Sequence, residues 1–203
     1  NKMTNQCDLL IALGMRFDDR VTCNVNTYAK QAKIIHFDID PSEFNKNIKV
    51  NLEVLGNCKQ TLAAVTELLE PTTHRSWISG FKPYDEKEFN KVIRPALYPT
   101  GGTLLMGEVV NKVSEATKHE AVLVTDVGLN QMFACRYFRF TKNRSLVTSG
   151  GCGTADIGAC FGAPDRTVCM FCGDGGLQMT IQELGTIMEQ HTPVKIILLN
   201  NNY

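Results

Sequence analysis

Val168-Cys169-Met170-Phe171-Cys172-Gly173-Asp174-Gly175-Gly176 and, further on, Val194-Lys195-Ile196-Ile197-Leu198-Leu199-Asn200-Asn201 decide the fold of this chain. Each is a short apolar run that stops at small or polar residues, the pattern of a buried strand entering a turn. Between them Met179, Ile181, Leu184, Ile187 and Met188 recur at helical spacing over about residues 178–190, and Pro193 precedes the second strand. Strand, helix and strand in that order predict a right-handed βαβ unit, whose two strand ends share one edge of a parallel sheet. That is the edge where open α/β folds bind ligands. Asp174 and Asn201 are 27 positions apart yet fall at the same edge. A carboxylate and an amide oxygen are hard ligands suited to Mg²⁺ or Ca²⁺. The glycines let backbone amides approach phosphate oxygens at a helix start, where the dipole favours anions. The unit therefore reads as a place for a metal bridged to a diphosphate. Gly-Asp-Gly alone is also a common turn, and Asn a common strand end. The pairing across a whole βαβ unit is what narrows the reading.

The same alternation runs through the rest of the chain. Asp8 to Leu13, closed by Gly14, reads as a strand; so do Lys33 to Ile39, stopped by Asp40-Pro41, and Val50 to Leu55, ended by Gly56. Leu62, Val65, Leu68 and Leu69 place a helix over 58–70, which Pro71 stops. Prolines at 71, 83, 95 and 99 and the pair Gly101-Gly102 punctuate a charged, aromatic stretch that reads as a linker with one short helix around Glu86 to Ile93. A second α/β unit follows, with an amphipathic helix over 105–116 and strands over 121–125 and 168–172. The fold class is thus α/β, two parallel-sheet regions, with short apolar strands covered on both faces.

Composition removes several alternatives. Of the 203 residues, 43% are hydrophobic and 21% charged, an ordinary globular balance. Twenty-one basic and twenty-one acidic side chains cancel, which argues against a charge-driven grip on nucleic acid or an anionic membrane. Apolar runs of six or seven residues are too short to span a bilayer. The eight cysteines are scattered. The pair Cys169 and Cys172 lies in an apolar run with no second Cys/His pair at ligand spacing, which fits buried reduced thiols of a cytoplasmic protein better than a redox turn or half a zinc site. The chain starts at Asn1 without a Met and ends at Tyr203 straight after a strand, and it is expected to be a piece of a longer protein.

Gly173-Asp174-Gly175 with Asn200-Asn201 resembles the thiamine diphosphate (ThDP) fingerprint of 2-oxo acid carboligases and decarboxylases. Leu13-Gly14-Met15-Arg16-Phe17-Asp18-Asp19-Arg20-Val21-Thr22, Asp126-Val127-Gly128, Ser149-Gly150-Gly151 and Gln182-Glu183-Leu184 resemble, more narrowly, the large catalytic subunit of the acetolactate synthase (acetohydroxyacid synthase) family. The resemblance covers nearly the whole chain. It implies two partial doubly wound domains: the C-terminal half of a central FAD-associated domain over 1–71 and the N-terminal half of a ThDP diphosphate-binding domain over 103–203, joined by the linker 72–102. It implies decarboxylation of pyruvate and carboligation to a second 2-oxo acid in branched-chain amino acid biosynthesis, with ThDP, Mg²⁺ and a structural FAD. The same build serves glyoxylate carboligase and pyruvate oxidase, and a non-catalytic remnant is a further alternative.

Residue by residue, the resemblance implies that Asp174, the Asn201 side chain and the Tyr203 carbonyl ligate Mg²⁺. Gly175 and Gly176 amides would bind the diphosphate, Val127 and Gly128 would lie beside it, and the Gly153 carbonyl would accept a hydrogen bond from the aminopyrimidine. Arg16, Asp18, Asp38 and Ile39 would contact FAD, and Arg20 would face the substrate channel. Read without the resemblance, Arg16, Asp18, Asp19 and Arg20 form a solvated salt-bridge cluster, Asp38 and Asp40 cap a turn, and His36 is a structural histidine. The family's activating glutamate belongs to an N-terminal domain outside these residues, so no catalytic side chain is assigned and the chain alone is expected to be inactive. Expected partners are a second large subunit in a homodimer or tetramer, a regulatory small subunit and small 2-oxo acids, without nucleic acid or membrane.

Three departures from the family pattern stand out. Leu129 replaces a glutamine after Val127-Gly128. Asn57 replaces an aspartate in the FAD region. The family's glycine-rich segment is shortened by six residues between Ser149 and Ala159, removing the methionine that supports bent ThDP and placing Asp156 where a small apolar residue is usual.

Overall fold

The structure, a computed structural model, describes residues 2–148 and 158–200. The chain divides into two compact units, residues 1–82 and 83–203. The expectations placed on 149–157, which include the shortened segment, Gly153 and Asp156, and those on Asn201 and Tyr203 lie outside the described residues.

In the first unit a three-stranded sheet runs β1 (Leu9–Leu13), β2 (Lys33–Asp38), β3 (Leu52–Leu55) in spatial order, all parallel. A short helix α1 (Asp19–Thr22) follows β1, a 3-10 turn over Pro41–Glu43 follows β2, and α2 (Cys58–Thr66) follows β3. Register pairs Leu13 with Phe37 and Asp38 with Leu55, so the three strand ends lie level. Ala12, Phe17, Tyr28, Ile34 and Ile48 form its core. Coverage is one-sided on β1: Leu9, Ile11 and Leu13 share a face by strand alternation and are 45–52% exposed. The sheet of this unit is therefore not buried on both faces, contrary to the expectation from its apolar runs. A further helix, α3 (Arg75–Ser79), lies in the stretch read as linker.

The second unit begins with α4 (Lys82–Glu88), a π-helical turn over Phe89–Ile93 and α5 (Arg94–Leu97). This is more helix than the one short helix expected around Glu86 to Ile93, and it is not loose: Ile93, Ala96 and Leu97 pack against the core of the second unit. Next come α6 (Met106–Ala116), β4 (Val122–Thr125), α7 (Leu129–Tyr137), the short β5 (Leu146–Thr148), α8 (Gly158–Gly162), β6 (Val168–Cys172), α9 (Asp174–Met179), α10 (Glu183–Glu189) and β7 (Lys195–Leu198). The sheet order is β5-β4-β6-β7, all parallel. β4 and β6 are buried at every position, as strands covered on both faces must be. Leu123, Cys169 and Phe171 meet α6 and α7 residues Val110, Ala134 and Tyr137 on one face. Val122, Val124, Met170 and Cys172 meet Cys160 and Leu177 on the other. The single helix expected over 178–190 is two helices, broken between Met179 and Glu183.

Among the described residues no helix is long and apolar enough to cross a membrane.

Candidate functional site

Strand register places the site. Thr125 pairs with Phe171 and Cys172 with Leu198, so β4, β6 and β7 end side by side and the residues after them converge. There a pocket of about 250 Å³ is lined by Asp126–Asn130 from the β4–α7 turn, Gly173–Gly176 from the β6–α9 turn, and Met106 and Leu199. Val127 and Gly128, expected to lie beside the diphosphate that the Gly175 and Gly176 amides would bind, line one pocket with those glycines and Asp174. β7 ends at the same edge, and the chain reaches Asn201 three positions beyond Leu198.

The local chemistry suits an anion. Gly173 caps α9, and the amides of Asp174, Gly175 and Gly176 in its first turn have no preceding helical carbonyl to pair with. Asp174 is exposed at the mouth. Gly128 holds φ +155°, a conformation side chains rarely adopt, and this kink directs the chain into α7. Leu129, the departure from the family pattern, is half exposed in the pocket wall.

One ionisable group is buried in the pocket wall. Asp126 is 1% exposed. Its Oδ2 accepts from the Gly173 amide at 3.1 Å and its Oδ1 accepts from Asn130 Nδ2. Burial pushes this carboxyl above the usual carboxylate range, while the bonds from Asn130 and Gly173 pull the other way. An acidic residue directly after a short, mostly apolar strand, at the edge where ligands bind, is the sequence signal for it. Burial also pushes the Cys172 thiol up to about 11, with the Asp126 charge adding to the effect.

A larger cleft, about 550 Å³, opens at the opposite edge among Glu120, Lys142, Asn143, Asp165 and Arg166. It faces the strand starts. The Arg166 guanidinium there is already committed to the carbonyls of Glu120 and Arg144 and to Ser145 Oγ. Size does not outweigh position in an α/β sheet, and the smaller pocket at the strand ends is the candidate site.

In the first unit, Arg16 and Asp18 follow β1, while Asp38 is the last residue of β2 and Ile39 follows it, so all four lie at the strand-end edge. Arg16 Nη2 bonds Asp18 Oδ2 at 3.1 Å on the surface, and Asp18 Oδ1 accepts from the Val21 amide at 3.3 Å, capping α1. Asp38 is buried, with Oδ1 accepting from the Asp40 amide at 2.9 Å and Oδ2 3.5 Å from His36 Nε2. Ile39 and Arg20 are exposed. The Asp40 carboxylate caps the following turn, and the bond it accepts from the Ser42 amide holds its pKa below the ordinary value. Asn57 caps α2 through the Lys59 amide at 3.0 Å. A cleft of about 460 Å³ in this unit is lined by Tyr28, Ile34, Asn47, Ile48 and Asn51, and by none of the four.

Among the described residues no three His, Cys, Asp or Glu side chains gather to hold a metal. Among the described residues that line the pocket, Asp174 is the exposed carboxylate.

Two family models match the chain. The model of the thiamine pyrophosphate enzyme C-terminal TPP binding domain matches residues 126–203, starting at Asp126 itself, and that of the central domain matches residues 1–65. The chain belongs to the thiamine pyrophosphate enzymes. Over its whole length it is 36% identical to the acetolactate synthase large subunit of Haemophilus influenzae and to acetolactate synthase 2, chloroplastic, of Nicotiana tabacum. It is 35% identical, over 99% of its length, to the acetolactate synthase isozyme 2 large subunit of Escherichia coli. The chain spans 37%, 32% and 36% of those three proteins. Both halves of this family member keep the parallel α/β build of its central and C-terminal domains.

Proposed function

We propose that the chain is part of an acetolactate synthase large subunit and that its second unit holds the diphosphate end of ThDP through Mg²⁺. The observation that carries this is the single pocket into which Asp126–Asn130 and Gly173–Gly176 converge. The residues fit the group. An anion meets the first-turn amides of α9 and the positive end of that helix, with no side chain on Gly175 in the way. The exposed Asp174 carboxylate supplies a hard oxygen for the metal that neutralises the diphosphate. Asn201 and the Tyr203 carbonyl are the further oxygens assigned to that metal, and the Gly153 carbonyl is assigned to the aminopyrimidine.

ThDP, when bound, supplies the electron sink for decarboxylation of a 2-oxo acid and its joining to a second one. This chain's contribution is to orient the diphosphate and to wall the site from water with Leu129, Met106 and Leu199. The pairing of pyruvate with a second pyruvate or with 2-oxobutyrate belongs to the reading, as do a cytoplasmic location and assembly into a homodimer or tetramer with a regulatory small subunit. The first unit, taken as residues 1–71, is assigned a structural FAD at the strand-end edge bearing Arg16, Asp18, Asp38 and Ile39, with Arg20 towards the substrate path. Residues 72–102 connect it to the ThDP half, 103–203.

Calorimetric titration of ThDP with Mg²⁺ tests the reading. Binding that needs both components, and that Asp174→Ala abolishes, is the expected result. Unchanged ThDP affinity in Asp174→Ala overturns the metal assignment. With the activating glutamate assigned to a domain outside these residues, the 203-residue chain mixed with pyruvate, ThDP and Mg²⁺ should form no acetolactate by colorimetric assay.

A further inference from the structure

Asp126 has no place in the scheme above, although it is the most deeply buried ionisable group of the pocket wall. It sits between two strand ends. Its backbone amide reaches the Phe171 carbonyl at 3.4 Å, and its side chain accepts from Gly173 on one side and from Asn130 on the other. Asn130 Nδ2 also lies 3.3 Å from the Phe171 carbonyl. A buried carboxylate without such partners would be costly, and here both of its oxygens are engaged.

The glycines of the pocket pack on this pair. A Cβ built on Gly176 would fall on the Asp126 carboxylate itself. A Cβ on Gly128 would stand 2.7 Å from Asn130 Oδ1. By contrast a Cβ on Gly175 would meet nothing within 4 Å. The two neighbouring glycines therefore differ in what requires them. Gly175 opens to the pocket, and Gly176 makes room underneath for a side chain from another strand.

We infer that Asp126, held by Asn130, is a positioning residue that fixes the Gly173–Gly176 turn from below, and that residue 176 is glycine because the Asp126 carboxylate occupies the space of its side chain. The effect on ThDP rests on the function proposed above; the packing between Asp126 and Gly176 does not.

A mutant cycle separates the two. Gly176→Ala should lower the thermal midpoint by roughly 4 °C or more and weaken ThDP–Mg²⁺ binding by about tenfold or more. In an Asp126→Ala background the carboxylate is gone, and the same alanine meets only the residue-126 Cβ, at 3.3 Å, a contact that a shift of a few tenths of an ångström relieves. The double variant should then match Asp126→Ala in midpoint and in ThDP affinity. Asp126→Asn, which keeps an acceptor for the Gly173 amide, should recover part of the affinity that Asp126→Ala loses. An equal loss from Gly176→Ala in both backgrounds, or an Asp126→Asn variant no better than Asp126→Ala, overturns the inference. If Gly176→Ala alone does not fold, a folded double variant supports the inference, and an unfolded double beside a folded Asp126→Ala overturns it. A wild-type protein that takes up no ThDP would sink the proposed function, and the thermal cycle would still decide the packing.

Discussion

The two units carry parallel sheets of the same kind, and their strand ends do different things. In the second unit, β4 and β6 are buried along their whole length and their ends converge on a pocket floored by a buried carboxylate–amide pair. In the first, β1 is half exposed and the candidate FAD residues spend their polar atoms on local structure: Asp18 on a helix cap and on Arg16, Asp38 on the Asp40 amide. Level strand ends thus carry different side-chain arrangements in the two units. In the second unit a residue buried between the strands ties the two turns together.

The largest expected effect probes that difference at the core. Phe171 is fully buried beneath the turn, and Phe171→Ala should cost about 3–5 kcal/mol in urea denaturation. Ile11, 52% exposed on β1, should lose under about 1 kcal/mol on truncation to Ala. Peptide-resolved hydrogen exchange should place the first loss in the second unit. Comparable costs at the two positions would mean that the β1 face is covered in solution, and the contrast between the sheets would fall.

A smaller effect tests the first unit's candidate residues. Asp18→Ala removes a helix cap and should destabilise by about 1 kcal/mol. Arg16→Ala removes one exposed ion pair and should change stability by a few tenths of a kcal/mol, about the worth of such a pair. If both residues also contact FAD, each variant should weaken FAD binding, measured by flavin fluorescence quenching. Loss of stability in Asp18→Ala with unchanged FAD affinity in both would leave them as a cap and its surface partner.

Much of this was legible in the sequence. Strands at 9–13, 33–38, 122–125 and 168–172 were found within a residue or so, because continuous apolar runs bounded by Gly, Asp or Pro have few other readings. β5 escaped notice because Leu146–Thr148 is three residues long and exposed, so it has no apolar period. α7 was missed because its exposed Met132 and Leu129 blur the apolar face. The break between α9 and α10 falls inside a continuous helical spacing, and no glycine or proline marks it. At the site, the glycines and Asp174 were visible as a motif. The role of Asp126 was not, since it depends on a neighbour 50 positions away, Gly176, whose missing side chain shows its purpose only once the strands are paired.

The smallest effect concerns the cysteines, where a motif and a fold disagree. Cys169-Met170-Phe171-Cys172 has the spacing of a redox pair. On a strand, however, residues three apart lie about 10 Å from one another and point to opposite faces. Cys169 packs in one core cluster and Cys172 in the other. A disulfide needs α-carbons within about 7 Å, so mild oxidation of the folded protein should leave no Cys169–Cys172 bond by peptide mass mapping. Iodoacetamide at pH 8 should label the exposed Cys23 first and leave Cys169 unlabelled. Burial, ahead of the opposing effect of Lys195, raises the Cys169 pKa above its ordinary value of about 9. Well below pH 9 both folded and unfolded chains hold the proton, and this thiol leaves stability unchanged. Above it the unfolded chain loses the proton first, so stability falls as pH rises towards the folded value. Cys169→Ala should show a shallower loss than wild type over that alkaline range in denaturant titrations. Equal slopes, together with ready labelling of Cys169 at pH 8, would mean that β6 is open to solvent and that the second sheet is no better covered than the first.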